Sequence, residues 1–510
     1  MSEICRRRRP WESESIMRDR AIGHRLILAL ALGVFMGVAG RTVGDPPVPK
    51  PAGAKAAEED PAVTAYFKKK GWWFIRDIRI VDHRPIVILT VEDREKPFEN
   101  ITISADDYKM IARSKTVQML DLRKVKNNDE GIKAVAGIPQ LQAIMIDGDD
   151  VTNAGIAALA KCRSLETVML LTKNINDAGL KELAALPKLR WLYCSFMNLD
   201  GSAFAAFAGS KTLESVTLEY VDGFTDDGAK HLAKLSKLNE LKIRAGFGEK
   251  KLTTAGIKAI AAERVPARFE FDRSLLDDSL FEMLVAKGWL YGPTPSGVSE
   301  KKPATPLEVS FINLEGSQVT DKGFQAVLNC TNAKSLYLRR SGVTDETFKK
   351  LTTFKKLEYI SLEKSKVTAA GLDAISDLPI RHIAMEDSEL SEDCFKAFGK
   401  MTRLEELWLG ESKMQADWLR HIAGLSKLKD LNLRHADFDD AATSHLAGLK
   451  SLQSLTLNDT RLGDAGFLEL LKLPKLKSLF VDGTRVTKEV YKKAKREHPG
   501  ITMYHYRYDP

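Results

Sequence analysis

Residues 333–356 read AKSLYLRRSGVTDETFKKLTTFKK, and this stretch predicts the fold of most of the chain. Leu336 and Leu338 alternate as in a short β-strand, whereas Val343, Phe348 and Leu351 recur at helical spacing. The stretch is therefore predicted to hold one strand, a turn and one helix. Neither element can bury its apolar side alone, so the unit must stack on similar neighbours.

The same pattern recurs along the 510-residue chain, mostly at intervals of 24 residues. The repeats begin at Val117, Leu141, Leu165, Leu189, Leu213, Leu238, Pro266, Val309, Ala333, Leu357, Ile380, Leu404, Leu428, Leu452 and Leu476. A period of this length is typical of repeat architectures, in which each unit adds one coil. The sequence therefore predicts an α/β solenoid.

Small hydroxyl residues recur at the ninth position of the later repeats. They are Ser317, Ser341, Ser365, Ser388, Ser412, Thr460 and Thr484, with Ala436 in one repeat. A hydroxyl at the point where the chain leaves the strand can bond the backbone of the adjacent coil. We therefore predict a hydroxyl ladder that runs along the solenoid.

A second recurring position, three residues later, is typical of helix N-caps, and acids such as Asp321 and Asp345 often follow it. It holds Thr320, Thr344, Thr368, Ser391 and Thr487.

Glycines recur in the first helical turn, where we expect them to let helix and strand pack closely. They are Gly131, Gly155, Gly179, Gly323, Gly371 and Gly466. No phosphate-loop motif accompanies them, so we interpret all these positions as structural.

Residues 452–475, LQSLTLNDTRLGDAGFLELLKLPK, show most clearly that the chain resembles the leucine-rich-repeat family in an exported bacterial form. The resemblance covers about residues 86–506 and is to the 24-residue strand-plus-helix type, close to the ribonuclease-inhibitor-like and cysteine-containing subtypes. The chain departs from subtypes with an asparagine ladder by using Ser and Thr. The resemblance implies a horseshoe or arc with a parallel concave sheet, convex helices and a binding role, but it names no ligand.

The N-terminal segment predicts export. Arg18, Arg20 and Arg25 precede an apolar run at 26–40, LILALALGVFMGVAG, which ends in small residues. Residues 1–40 therefore read as a signal peptide cleaved after Gly40 or, alternatively, as an N-terminal membrane anchor. Translation starts at Met1 or Met17. We expect the protein in the periplasm, the cell envelope or the extracellular space.

The rest of the chain divides by composition and repeat pattern. We predict a disordered Pro/Ala-rich linker at 41–61, an N-terminal cap at 62–85, repeats at 86–290, a Pro/Gly-rich insertion loop at 291–306, repeats at 307–497 and a C-terminal cap at 498–510. Residues 71–92 read as two strands around a turn, and a basic last helix precedes a strand at 501–504. The two repeat blocks form either one continuous solenoid or two arcs joined by a hinge.

The composition narrows the partner class. The net charge of +8 is spread along the chain without a basic stripe, which disfavours nucleic acid. Cys162, Cys194, Cys330 and Cys394 lack metal-ligand spacing, so we expect buried thiols without disulfides. Trp72 and Trp73 are predicted to cover the first coil, with glycan binding as the alternative.

The positions between the strand leucines are predicted to face the concave side, and aromatic and charged residues occupy them. The predicted partner-binding residues are Trp191, Tyr193, Phe196, Tyr220, Arg244, Tyr337, Arg339, Arg340, Tyr359, Glu386, Trp408 and Arg434. Exposed Trp, Tyr and Arg are enriched at protein-binding hot spots. The sequence therefore favours a protein or peptide ligand, and a membrane contact only through an uncleaved N-terminal segment.

Enzyme motifs are absent from the sequence, so we expect no catalytic residue, metal or cofactor. The nearest approach to a metal site is His382, Glu386 and Asp387 beside Glu411, with His435 two coils away. Two imidazoles about 10 Å apart are too distant to share one ion. A structural envelope component and a metal-dependent enzyme remain alternatives to the binding scaffold.

Overall fold

In a computed structural model of the chain, the described residues are 59–78, 85–90, 101–123, 125–246, 248, 251–289 and 305–508. The chain divides into two compact units, residues 1–193 and residues 194–510. This boundary lies inside the repeat block predicted at 86–290, not at the predicted insertion. The predicted signal at 1–40, most of the linker and residues 291–304 of the insertion lie outside the described residues.

Short strands and short helices alternate along both units. The strands are β1 Trp73–Ile78, β2 Pro85–Thr90, β3 Ile101–Thr102, β4 Met119–Leu122, β5 Val125–Lys126, β6 Ala143–Asp147, β7 Thr167–Leu171, β8 Trp191–Ser195, β9 Ser215–Val221, β10 Glu240–Ala245, β11 Arg268–Phe271, β12 Phe311–Asn313, β13 Ser335–Tyr337, β14 Tyr359–Ser361, β15 His382–Ala384, β16 Glu406–Trp408, β17 Asp430–Asn432, β18 Ser454–Thr456, β19 Ser478–Phe480 and β20 Thr502–Tyr504.

The α-helices are α1 Pro61–Lys69, α2 Ala105–Ala112, α3 Asp129–Val135, α4 Asn153–Leu159, α5 Asp177–Leu180, α6 Asp226–Ala233, α7 Thr254–Glu263, α8 Asp278–Ala286, α9 Asp321–Phe324, α10 Asp345–Phe348, α11 Ala369–Ala374, α12 Glu392–Lys400, α13 Thr443–Leu446, α14 Asp464–Leu470 and α15 Lys488–Glu497. Turns of 3-10 helix lie at Lys181–Ala185, Ser202–Gly209, Arg273–Leu275, Pro306–Glu308, Gln325–Val327, Leu351–Thr353, Ala416–Ile422 and Asp440–Ala442. Among the described residues, no helix combines the length and the apolar sequence that crossing a membrane requires.

The sheet of the first unit begins with an antiparallel pair, β1 and β2, which confirms the two strands predicted within 71–92. From β2 onward the pairs β2–β4, β4–β6 and β6–β7 are parallel. Trp72 is buried and packs on Phe67, with ring centroids 5.7 Å apart. A buried indole cannot stack on a sugar, so Trp72 does not fit the glycan alternative.

The described structure includes the end of the predicted linker, with Glu59 and Asp60. Glu59 accepts hydrogen bonds from the Ser114 hydroxyl, from Lys115 N at 2.9 Å and from Thr116 Oγ1 at 2.6 Å. Asp60 caps α1, because its carboxylate accepts from Ala62 N at 2.9 Å. The bonds of Glu59 connect a residue of the predicted linker to residues 114–116, which precede β4.

The second unit holds a parallel group, β9-β10-β11, and a parallel sheet, β12 to β20 in chain order. The strands of the sheet are in register, with Leu336 opposite Ile360 and Ile360 opposite Ile383. Leu336, Leu338 and Phe348 are 0% exposed, as the pattern of residues 333–356 predicts. The prediction of an α/β repeat of parallel strands and packed helices is confirmed.

The coils on either side of the predicted insertion contact each other directly. Thr320 donates to Asp278 through its backbone N at 2.7 Å and its hydroxyl at 2.6 Å. The backbone N of Gln318 donates to the carbonyl of Leu276 at 2.9 Å. These bonds support continuous stacking of the coils at 266–289 and 305–332, although β11 and β12 belong to different sheets.

The coil junctions differ from the predicted hydroxyl ladder. Within the described residues, Ser412 is the member whose hydroxyl reaches the preceding coil, where it donates to the carbonyl of Met385 at 2.8 Å. Thr460 and Thr484 donate to carbonyls of their own coils, both at 2.7 Å, and Ser341 Oγ is buried without a partner in the described part of the chain. The ladder prediction is therefore wrong for most of its members.

A column of residues with left-handed backbone replaces that ladder. It comprises Phe196, Tyr220, Arg340, Lys364, Asp387, Glu411, His435 and Asp459, with φ between 53 and 61°, and the glycines Gly316 and Gly483. The backbone N of several members donates to a carbonyl of the next coil, as Arg340 does to Glu363 at 3.0 Å and His435 to Asn458 at 2.9 Å. The turn thus extends the hydrogen bonding between coils past the end of each strand.

A second ladder connects the helix N-termini. Where an acid occupies the first position of a helix, it can accept from the capping threonine of the next coil: Asp321 accepts from Thr344 N at 2.9 Å and Oγ1 at 2.5 Å, and Asp129 accepts from Thr152 at 2.8 and 2.7 Å. The capping role predicted for Thr320, Thr344 and Thr368 is confirmed, whereas Ser391 and Thr487 occupy the cap position without a capping side-chain bond.

Four of the six recurring glycines, Gly155, Gly323, Gly371 and Gly466, pack against an aspartate of the preceding coil. A Cβ at Gly155 would lie 2.5 Å from Asp129 Oδ1 of the preceding coil, and one at Gly371 would meet Asp345 in the same way. These four glycines therefore make room for a carboxylate of the neighbouring coil, whereas Gly131 makes room for the Tyr108 ring and Gly179 for the Asn153 side chain. The predicted close packing of helix on strand is not the reason for them.

The four described cysteines are buried and free, as predicted. Burial raises the pKa of the Cys330 thiol to about 11. The predicted order of a basic last helix and then a short strand near 501–504 is also confirmed, since α15 precedes β20.

Candidate functional site

The strands β12 to β20 expose one face away from the core. The central residue of each strand is buried, and because side chains alternate along a strand, its two neighbours lie on the opposite face. We call this face, together with the turn residues that follow each strand, the second sheet face.

Four rings on four successive strands form a continuous row on this face, which we call the aromatic row. Tyr337 and Tyr359 have centroids 5.0 Å apart, Tyr359 stacks on His382 at 4.4 Å, and His382 meets Trp408 edge to face at 4.5 Å. All four side chains are partly exposed. The row brings together three of the predicted site residues, and His382 joins them in the middle.

Hydrogen bonds to two acids hold one end of the row. His382 Nδ1 lies 2.6 Å from Glu406 Oε2, and Trp408 Nε1 donates to Asp430 Oδ1 at 3.1 Å. Burial lowers the pKa of His382, although Glu406 opposes this shift. Burial also raises the pKa of Asp430 against the hydrogen bonds from Ser454 and Trp408, which lower it.

The predicted residue Glu386 lies on the other side of Trp408. Asn432 Nδ2 donates to Glu386 Oε1 at 3.0 Å. Burial raises the pKa of Glu386, and the neighbouring acids Glu363 and Glu411 raise it further. A Cβ at Gly410 would lie 3.2 Å from Glu386 Oε1, so the glycine keeps the space beside this carboxylate open.

Acids of the same face already pair with most of the cations predicted to bind a partner. Arg339 lies 3.4 Å from Glu315, and Arg434 lies 3.8 Å from Glu411. Arg340 is exposed and belongs to the left-handed column. In the β9-β10-β11 group, Arg244 lies 3.8 Å from Glu270.

The aromatic group predicted around residues 191–220 falls in both units. In the first, the Arg190 guanidinium lies 4.1 Å from the ring centroid of Trp191. In the second, Phe196 stacks on Tyr220 at 5.3 Å with the rings 8° from parallel. Tyr193 packs against a methionine cluster of the first unit.

Sequence reasoning missed this methionine cluster, in which Met119, Met145 and Met169 pack with Ala143. They occupy the strand positions opposite the core side chains, yet Met145 and Met169 are only 1% exposed. Repeated Met in the strand positions between the apolar core residues was the available signal. Asn432 and Gly410 were missed as well, because neither residue type marks a binding site by itself.

The arrangement considered for a metal does not form. His382 is bound to Glu406, and His435 Nε2 lies 3.3 Å from Asp459. Within the described ranges, no three His, Cys, Asp or Glu side chains converge in a way that could hold a metal ion.

Comparisons with known proteins found likeness only among solved structures, because no family model and no curated protein matches the chain. An internalin from Listeria monocytogenes is 19% identical over 69% of this chain and 78% of its own, with a TM-score of 0.27. A leucine-rich-repeat protein of Leptospira interrogans is 14% identical over 75% and 95%, with a TM-score of 0.34.

The leucine-rich-repeat ectodomain of the Arabidopsis thaliana membrane receptor kinase GASSHO1/SCHENGEN3, solved with CASPARIAN STRIP INTEGRITY FACTOR 2, is also similar. It is 14% identical over 85% of this chain, with a TM-score of 0.40, and the match spans 57% of the ectodomain. The repeating coils, the parallel strands and the buried leucine pattern of the chain itself show a leucine-rich-repeat fold.

Proposed function

We propose that the chain is a non-catalytic scaffold that binds a protein or peptide through the second sheet face. The observation that carries this proposal is the aromatic row of Tyr337, Tyr359, His382 and Trp408. Tyr and Trp supply large contact areas at little cost in conformational entropy, and they dominate binding hot spots. Polar and charged side chains surround the row, as they do at the rim of a protein interface.

The geometry suits a ligand that lies across the strands. Neighbouring strands are about 4.8 Å apart, so β13 to β17 present about 19 Å of continuous surface. Each ring centroid lies within 5.0 Å of the next, which leaves few gaps for water in the row. An extended segment of about six residues matches this length.

The test is selection of a random dodecapeptide library on the immobilised chain. We expect the enriched peptides to lose at least about tenfold in affinity for the variant Tyr337→Ala/Tyr359→Ala/Trp408→Ala. The matched control is Leu307→Ala/Leu468→Ala, which removes exposed side chains elsewhere (57% and 45% exposed) and should bind like the original chain. The absence of enriched peptides, or equal affinity for both variants, contradicts the proposal.

The place of action proposed for this scaffold is outside the cytoplasm. This part rests on the arginines and the apolar run at 26–40. Mass spectrometry of the mature N-terminus after cell fractionation tests it. A chain that begins near Arg41 in the periplasm or medium supports export, whereas an intact segment in the cytosol overturns it.

A further inference from the structure

The second sheet face has a charge opposite to that of the whole chain, which is +8. Its acidic side chains are Glu315, Glu363, Glu386, Asp387, Glu406, Glu411, Asp430, Asp459 and Asp482, and its basic ones are Arg339, Arg340, Lys364, Arg434 and Arg507. The basic side chains are fewer, and Arg339, Lys364 and Arg434 are engaged with acids of the same face. The face therefore carries excess negative charge.

The excess is concentrated along the aromatic row. Among the described residues, no lysine or arginine lies within 4 Å of the carboxylates of Glu363, Glu386, Glu406 or Asp430. The partners of these acids are instead the hydroxyls of Ser361 and Ser454, the amide of Asn432, and the rings of His382 and Trp408. Each of these acids can still accept a bond from a cation.

The acids flank the rings on both sides. Glu406 and Asp430 occupy the first position of their strands, next to His382 in register, whereas Glu363 and Glu386 follow their strands in the turn. An ammonium or guanidinium placed over the row would meet ring faces below and carboxylates at both edges. Cation–π attraction and Coulomb attraction then act on the same group.

A polar atom inside the row also lacks a partner. Nε2 of His382 is buried and has no hydrogen-bond partner in the described part of the chain. Because Glu406 engages Nδ1, the neutral ring carries its proton there and leaves Nε2 as an acceptor. The side chain is 12% exposed, so a ligand N–H can approach from the open face once the neighbouring rings shift. A donor, and not another carboxylate, satisfies this atom.

We infer that the second sheet face binds an extended segment in which lysine or arginine side chains recur at every second position. This inference rests on the proposed peptide-binding function and names the class of peptide. Alternate residues of an extended chain are about 7 Å apart, so about three basic side chains fit along the row. The acids on both sides of Trp408 would receive them.

The experiment measures binding of the full chain to two labelled nonapeptides by fluorescence anisotropy. One has lysine at every second position with glycine between, and the other has glutamate in place of lysine. We expect binding of the lysine peptide only, with an affinity that falls as salt rises. The double variant Glu363→Gln/Glu386→Gln should weaken it at least about tenfold.

The matched control is Glu346→Gln/Glu469→Gln, which makes the same change in net charge at exposed helix positions that pair with Lys349 and Lys472. It should change the affinity less than about twofold. Equal losses in both double variants, or binding of the glutamate peptide, overturn the inference. If library selection yields peptides that need the aromatic row but carry no basic residues, the proposed function stands and the charge class is wrong.

Discussion

The two units use the same strand positions in different ways. In the first unit, Met119, Met145 and Met169 lie opposite the core residues and are buried. In the second, the equivalent positions hold Tyr337, Tyr359, His382 and Trp408, which stay partly exposed and are surrounded by acids. The leucine pattern that builds the coil is the same in both.

This difference shows that the repeat pattern determines the core side of each strand but not the residues on its other side. Leu336 and Ile360 in the second unit and Leu120 and Ile144 in the first are all 0% exposed, so the core side is common to both units. The other side of the strand is buried at Met145 and Met169 in the first unit but partly exposed along the aromatic row in the second. A binding role therefore belongs to individual residues of a face and not to the repeat itself.

The largest expected effect comes from charging the buried face of the first unit. Met145→Glu places a carboxylate among apolar side chains and should lower the free energy of unfolding by about 3 kcal/mol or more. Urea unfolding followed by circular dichroism measures it. Met145→Leu, the volume-matched control, should cost less than about 1.5 kcal/mol. A tolerated Met145→Glu would show that this face is as open as the second.

The second-largest effect is expected from removing an acid of the acid–threonine ladder, which both units contain. Asp321 accepts four bonds from Thr344 and Thr347, whereas Asp129 accepts two from Thr152. Asp321→Ala should therefore cost about 2 kcal/mol and Asp129→Ala about 1 kcal/mol. Urea titrations of both variants measure the order. A larger loss for Asp129→Ala would contradict the idea that bond number sets the strength of a junction.

The Asp321 contribution should also depend on pH. Burial opposes ionisation, but the bonds from Thr344 and Thr347 outweigh it and lower the pKa of Asp321. Because the folded-state pKa lies below the unfolded value near 3.9, the stabilisation is complete above that value and disappears as the pH falls through the folded pKa. The stability difference between the chain and Asp321→Ala should shrink correspondingly in acid.

The smallest effect probes the left-handed turn shared by the units. Gly316 has φ 70° and Gly148 has φ 101°, and a Cβ added at either position would meet no atom closer than 4.0 Å. Substitution of either by alanine should cost about 1 kcal/mol through backbone strain alone. Gly424→Ala, equally unobstructed but without positive φ, should be neutral or slightly stabilising in the same thermal unfolding assay. Equal behaviour of all three would exclude strain as the cause.

The core could be predicted from sequence because its signal lies within one repeat. The buried side of each element follows from the alternation at Leu336 and Leu338 and from the spacing of Phe348 and Leu351. The hydrogen bonds between coils could not be predicted in this way, since each of them joins residues of two different repeats. Asp321 was recognised as an acid near a helix start, but its bond to Thr344 becomes visible only when the coils stack.

The predicted hydroxyl ladder failed for a related reason. The left-handed residue before Thr460 directs its own backbone N to the next coil, as Asp459 donates to Asp482 at 2.6 Å, and the hydroxyl turns back to Leu457. The sequence does not reliably show which Asp, Lys or Arg residue adopts the left-handed backbone conformation. For the site, residue types indicated Tyr337, Tyr359 and Trp408, but the acids that hold or flank them required the register of the strands.

The acid–threonine ladder has a consequence for how the second unit would respond to tension along its stack. Each rung links two coils, so a pulling force passes from carboxylate to threonine through the series. Asp440 meets Gly463 in place of a threonine and accepts only its backbone N, at 2.6 Å. Without a hydroxyl, that junction has fewer such bonds to share the load than the Asp321–Thr344 junction, so it should yield at a lower force than that one.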